Sequence, residues 1–288
     1  MLLSADESDA PRVKGARRNP GRPSLAIVAA YFGQPPLWLP ASFVSCRENR
    51  DVRWFIYTDF TVADPPPANV TLRQMTVREL GLKASEVTGT RIEIADLRKI
   101  NDLKPLYGLI FADDLESFDF WAYSDLDIVW GDVRSFVTDS ILADHDIVSS
   151  RRNRLSGHFT LFRNTARINR TFEFIPDVAK KMATPQHLIL DERGFTRHLR
   201  ERLGAGSTDS MPRVEWSREL TMSAAYQRAL GVSAADSLWW RNGKTFDAHG
   251  KELMYLHFHK LKKKMKTINF GSGDTPAVFR INRGGFWA

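Results

Sequence analysis

Asp125-Leu126-Asp127 follows the aromatic and apolar run at residues 118–123. In an extended segment alternate side chains share a face, so the two carboxylates project together while Leu126 turns inward. Convergent carboxylates suit a hard divalent cation, Mg²⁺ or Mn²⁺, whose remaining positions are filled by water and by the phosphate oxygens of a nucleotide diphosphate. The triplet alone says little, because 22 aspartates in 288 residues give about 1.7 such triplets by chance and the chain has two. Position separates them. Asp144-His145-Asp146 precedes an apolar run and suits a solvated turn or a helix cap, whereas Asp125 and Asp127 stand at the end of one.

A second constellation, His257-Phe258-His259-Lys260, lies near the end of the chain. Strand alternation puts Tyr255, His257 and His259 on one face and Met254, Leu256 and Phe258 on the other. An imidazole there can complete a coordination begun by distant aspartates, or each histidine can be an ordinary residue with a hydrogen-bond partner. Lys260, Lys262, Lys263 and Lys264 are either a solvated face or, beside a metal ligand, cations that stabilise charge on a departing diphosphate. No Gly-x-Gly-x-x-Gly or Walker-type loop follows the first apolar run, so a dinucleotide or P-loop reading lacks its phosphate cradle.

Such groups need a frame. Residues 25–32 form a continuous apolar run ending at Gly33, which predicts a strand covered on both faces. Helical spacing at residues 37–46 and a second strand at 52–57, followed by Thr58-Asp59, give a βαβ beginning. After Pro65-Pro66-Pro67, residues 70–75 read as a short strand, and 77–82 and 84–97 as helix or loop. A helix over 104–115 leads into a strand over 118–124. Residues 145–150 and 158–163 read as strands around a polar turn, 196–203 as a helix with Arg and His outward, and 237–246 with 252–259 as a hairpin around Gly250. The alternation predicts an α/β fold with a mostly parallel central sheet flanked by helices. Such sheets bind ligands beyond the carboxyl ends of their strands, and those ends are polar here.

At 43% hydrophobic and 26% charged residues the composition is that of a globular protein. Cys46 is the only cysteine, which excludes an intramolecular disulfide and cysteine-based metal sites and fits a reducing, cytoplasmic setting. No apolar run approaches the roughly 18 residues of a membrane span. Residues 1–23, polar and rich in proline and glycine, read as a flexible tail, followed by one domain over 24–288. The net charge of +7 is local: the tail carries +2 and the run from Lys260 to Lys266 carries +5. The balanced remainder argues against a nucleic-acid surface, while a peripheral contact with an anionic membrane stays compatible with the basic run.

Lys99-Ile100-Asn101-Asp102-Leu103-Lys104-Pro105-Leu106-Tyr107-Gly108, then Tyr123-Ser124-Asp125-Leu126-Asp127, Ser156-Gly157-His158-Phe159 and Tyr255-Leu256-His257-Phe258-His259-Lys260 occur in this order. Together they resemble the pattern of bacterial GT-A glycosyltransferases, close to lipopolysaccharide and capsule enzymes, over about residues 25–265. The resemblance implies a Rossmann-like sheet with a donor half over about 24–165, an acceptor half over about 166–288 and a small C-terminal hairpin closing the site. It implies a nucleotide-diphosphate sugar as donor, a glycan or glycolipid hydroxyl as acceptor, and a role in surface polysaccharide biosynthesis. Asp125 and Asp127 would be the metal motif, with His257 or His259 as the late ligand. Tyr31 and Asp59 would hold base and ribose; Lys99, Asp102 and Lys104 would face the donor, with Gly157 and His158 beside it. Asp191-Glu192 resembles the acidic pair near the acceptor, able to act as general base or to stabilise an oxocarbenium-like centre; a helix start with acidic residues is the plainer alternative. Trp216, Tyr226, Trp239, Trp240 and Trp287 could stack on sugars, though core packing is the commoner role. A metal-dependent nucleotidyltransferase and a non-catalytic module binding anionic surfaces are the rival readings.

Overall fold

The computed structural model describes residues 21–204, 211–231 and 235–288. The tail expected at 1–23 lies outside the described residues up to residue 20. From there the chain is anchored, since Arg22 pairs with Asp51 at 2.7 Å and with Asp139 at 3.1 Å.

The first strands are β1 (Leu25–Ala30), β2 (Val52–Thr58) and β3 (Val70–Gln74). They are followed by β4 (Phe120–Ser124), β5 (Ile128–Trp130), β6 (Ile147–Ser149), β7 (Phe159–Arg163) and β8 (Val214–Glu215). Seven of these form one sheet in the order β3-β2-β1-β4-β7-β6-β8. Its pairings are parallel except where β7 meets β4 and β6, so the sheet is mixed α/β and mostly parallel, as the alternation predicts.

Strand alternation divides the core between the two faces of the sheet. Ala26, Val28, Trp121 and Tyr123 pack on one side; Ile27, Ala29, Phe120 and Ala122 pack on the other. The second face is covered by α1 (Leu39–Arg47), the first by α2 (Val77–Thr88) and the short helical turns between Leu97 and Leu115. The helix α2 joins two segments that apolar spacing separates. Thr76 and Glu79 close a reciprocal cap at its start, and Gly89 in the left-handed region at φ 66° ends it. The helix expected over 104–115 is instead a chain of single turns, because Pro105 has no N–H and Phe111 leaves helical geometry.

The C-terminal hairpin is part of something larger. Strands β9 (Leu238–Arg241) and β10 (Lys244–Phe246) divide the stretch 237–246 read as one strand, turning at Asn242-Gly243, and it is β10 that pairs around Gly250 with the segment starting at Glu252. They belong to a six-stranded sheet with β11 (Glu252–Leu253), β13 (Thr267–Ile268), β14 (Val278–Asn282) and β15 (Gly285–Trp287). Trp240, Phe279 and Phe286 of this sheet pack with Leu256 and Phe258 in a third apolar cluster. Strand β12 (Tyr255–His257) leaves that sheet and pairs with β5. No helix among the described residues is long and apolar enough to cross a membrane.

Candidate functional site

The central strand β4 delivers Asp125 at its carboxyl end, and the chain turns through Asp127 into β5. Three side chains at and before α1 hold that turn. Trp38 Nε1 donates to the Leu126 carbonyl at 3.1 Å and Ser42 Oγ to the Ile128 carbonyl at 2.8 Å, while Ser45 Oγ accepts from Trp130 N at 3.0 Å. Strand β12 lies antiparallel to β5 with His257 opposite Ile128, and Phe258 N donates to the Asp127 carbonyl at 3.2 Å. This pairing sets the imidazole of His257 across from the aspartates. Its Nε2 is 3.4 Å from Asp125 Oδ2 and 3.4 Å from Asp127 Oδ1. That nitrogen is buried and makes no hydrogen bond.

Burial alone would raise both carboxyls, but Lys104 and His257 around Asp125, and His257 and Lys262 around Asp127, hold them well below the usual carboxylate range. Burial disfavours a charge on His257, yet Asp127 and Asp125 outweigh it and lift the imidazole to about 9. Lys262 Nζ pairs with Asp127 Oδ2 at 2.8 Å. Lys104, buried, stays cationic because Asp125 and Asp191 outweigh its desolvation; it donates to Asp125 and, at 2.6 Å, to the Gly157 carbonyl. Oxygen and nitrogen atoms of Asp127, His257 and His259 lie within 4.8 Å of one another, which fits a single cation. His259 lies beyond the end of β12, in the following turn, so it does not continue the alternation expected of it.

Asp191 reaches the same place from another direction. A π-helical turn, Leu190–Gly194, carries it, preceded by Ile189 at φ 57°, a strained conformation for a β-branched residue. Asp102 stabilises that kink by accepting Leu188 N and Leu190 N, both at 2.8 Å, on either side of Ile189. Lys99 neutralises Asp102 at 3.0 Å and donates to the Lys181 and Gln186 carbonyls. Both residues are fully buried. The carboxyl of Asp191 is pushed up to about 7, mainly by burial, with Lys104 opposing and Glu192 and Asp125 adding to the rise. Its Oδ1 is buried without a hydrogen-bond partner. Gly157 faces this pair directly: a Cβ there would sit 2.3 Å from Asp191 Oδ2, and Gly157 N donates to Glu192 Oε1 at 3.0 Å.

One cavity of about 330 Å³ has Lys104, Asp125, Gly157, His158, Asp191, Glu192, His257, His259 and Lys260 in its wall, while Asp127 is buried behind that wall with Lys262 as its partner. A larger surface cavity of about 900 Å³ runs along α2, away from this chemistry. Lys99 and Asp102 correct an expectation: they do not line the site cavity but pin the loop that carries Asp191. His158 lines it with both ring nitrogens engaged, Nδ1 with the Tyr255 hydroxyl at 2.6 Å and Nε2 by Arg151 Nε at 3.3 Å. Burial, then His257 and Arg151, lowers its pKa well below the ordinary value, so it is a neutral ring packed 4.3 Å from His257. Tyr31 and Asp59 stand past the ends of β1 and β2, outside that wall; Asp59 accepts from Gly33 N at 2.7 Å, and Tyr31 is close enough to Lys262 and Asp127 to feel both charges. Asp146 is no solvated turn residue; it is buried and paired with Arg163 and Arg167. His198, expected outward, is buried against Glu201. Trp240 is buried in the third apolar cluster.

Sequence reasoning did not find Arg151, His187 or Gln227 in the wall, and no local pattern marks them. It also passed over β5, although Ile-Val-Trp directly after Asp127 was a usable signal.

Among solved structures, the chain resembles a galactosyltransferase, LgtC, in complex with donor and acceptor sugar analogues, with a TM-score of 0.45 and 10% identity over 81% of this chain and 87% of that one. It also resembles a glycosyltransferase involved in glycosylation of the major capsid of PBCV-1, with a TM-score of 0.44 and 8% identity over 82% and 93% of the two chains. Mouse xyloside xylosyltransferase 1 in its apo form gives a TM-score of 0.39 and 9% identity over 81% and 97%. At such distance these likenesses assign no activity. No curated protein matches the sequence. The model of the "Family of unknown function (DUF6625)" matches residues 27–287, and the chain belongs to that family.

Proposed function

We propose that this protein is a metal-dependent GT-A glycosyltransferase that moves a sugar from a nucleotide-diphosphate sugar to a hydroxyl of a glycan or glycolipid. The observation that carries the reading is the convergence of Asp125 and Asp127 on the buried imidazole of His257, whose Nε2 lies 3.4 Å from an oxygen of each. Asp127, His257 and His259 would hold the ion, with Asp125 adjacent. A set containing imidazole suits Mn²⁺ better than Mg²⁺, which prefers oxygen alone. When bound, the ion would neutralise the charge that develops on the diphosphate as its bond to the anomeric carbon breaks.

The chain's own residues supply the rest. Lys260, in the cavity wall beside His259, adds a cation for the leaving diphosphate. Lys104 ties Asp125 to the Gly157 carbonyl and so fixes the metal side of the cavity against the acceptor side. As the acceptor oxygen bonds to the anomeric carbon, its proton passes to Asp191, whose pKa of about 7 suits a base near neutral pH. Glu192 is held next to it on Gly157 N. Tyr31 and Asp59 are assigned to base and ribose, and Lys99 and Asp102 to positioning. The ordered motifs support a role in surface polysaccharide assembly in the cytoplasm, at the inner face of the membrane.

The test is hydrolysis of UDP-glucose, UDP-galactose and GDP-mannose with and without Mn²⁺. One of them should turn over with metal, release nucleoside diphosphate rather than sugar 1-phosphate, and slow about 100-fold or more in Asp127→Ala. Metal-independent turnover by that variant would overturn the proposal, and release of sugar 1-phosphate would point to nucleotidyl transfer instead.

A further inference from the structure

The site cavity continues past Glu192. Arg154 and Glu192 also line a second cavity of about 460 Å³, completed by Arg193, Thr196, Arg197, Arg200 and Glu201. Arg193, Arg197 and Arg200 follow one another at helical spacing from the turn Leu190–Gly194 into the helix Phe195–Gly204, so they share a face. Like charges at three- and four-residue spacing repel, and a stripe of this kind gains from an anion laid across it.

The acids on the same wall are already engaged. Glu201 pairs with His198 Nδ1 at 2.7 Å, and Glu192 accepts from Gly157 N. Two of the arginines are oriented by neighbours: Arg200 lies over the Trp216 ring at 5.1 Å and donates to the Asn153 carbonyl at 2.5 Å, and Arg197 contacts His198 Nε2 at 3.1 Å. The guanidinium groups of Arg154 and Arg193 have no hydrogen bond or ion pair among the described residues. Arg154 stands where the two cavities meet, beside the acidic pair assigned to the acceptor.

We propose that this groove binds an anionic substituent of the acceptor sugar, a phosphate or carboxylate, and so restricts the acceptor to acidic glycans. The inference rests on the transferase reading, because it takes Asp191 as the place where the acceptor hydroxyl reacts. Its geometry is that of a charged handle gripped next to a reacting hydroxyl, with guanidinium forks matched to phosphate or carboxylate oxygens.

Calorimetric titration with glucose 6-phosphate, glucuronate, methyl glucoside and inorganic phosphate tests it. The two acidic sugars should bind about tenfold more tightly than the neutral one, and the difference should vanish in Arg193→Gln/Arg197→Gln but be only reduced in Arg193→Lys/Arg197→Lys, which keeps the charge without the fork. Equal binding of charged and neutral sugars, or an undiminished preference in the glutamine variant, would overturn the inference. Inorganic phosphate binding as tightly as glucose 6-phosphate would reduce the groove to a simple anion site and overturn the acceptor assignment. Arginine-dependent sedimentation with phosphatidylglycerol vesicles, uncompeted by glucose 6-phosphate, would give the groove to a membrane and overturn it too. Mn²⁺-dependent donor hydrolysis by the unaltered protein is read separately. Its absence alongside intact preference for acidic sugars would sink the transferase reading and leave the groove standing.

Discussion

Asp191→Asn should stabilise the protein at alkaline pH while removing the transferase activity proposed for it. Asp191 is 4% exposed, and its carboxyl is pushed from 3.8 to about 7 chiefly by burial. The folded-state pKa therefore lies above that of the unfolded chain, and folding favours the protonated form. The resulting stability is fully present below about pH 4 and is lost as pH rises through about 7. A shift of about 3 pKa units corresponds to ~4 kcal/mol between those limits, of which ~2–3 kcal/mol falls between pH 5 and pH 8. Asparagine has nearly the same shape and does not titrate, so whatever constant effect it has, its advantage over aspartate must grow with pH. Urea unfolding of both proteins at steps from pH 4 to pH 8, with EDTA present, measures this, provided the m-values agree. A stability difference that stays flat across the range, or that moves against the variant as pH rises, would refute the account of Asp191 as a destabilised, half-titrated carboxyl. The activity arm is independent: acceptor transfer by the native protein should rise through about pH 7 as Asp191 loses its proton.

Gly157→Ala puts a methyl group 2.3 Å from Asp191 Oδ2, so it should cost about 1–3 kcal/mol in chemical denaturation and lower acceptor transfer through displacement of the acidic pair. Wild-type stability in that variant would show that the contact yields without cost. Asp102→Ala leaves the buried Lys99 ammonium without its carboxylate and should destabilise by about 3–5 kcal/mol, whereas Lys99→Met/Asp102→Leu should recover much of that loss. Because Asp102 also accepts Leu188 N and Leu190 N, that double variant should still transfer sugar poorly; full activity would show that the loop holds Asp191 without Asp102.

The parts of this fold that local pattern could reveal are those whose cause is local. Residues 25–30 are buried on both faces of the sheet and read as one apolar run; Asp125 and Asp127 follow a strand whose aromatic content marks it. The feature that makes a site of them is not local. Strand β12 meets β5 through three residue pairs between segments far apart in the chain, each too short to show a period. Charge posed a different difficulty. Lys99, Lys104 and Lys260 look alike as letters near motifs, and what distinguishes them is how many acceptors surround each ammonium. Lys99 donates to Asp102, Lys181 and Gln186, which accounts for its three protons, so it has none to offer a ligand and acts as a strut. Lys104 donates to Asp125 and Gly157 and sits between the two halves of the cavity with little left to give. Lys260, whose ammonium has no protein acceptor among the described residues, keeps its full donor capacity, and it lines the cavity beside His257 and His259, where a departing anion would need it.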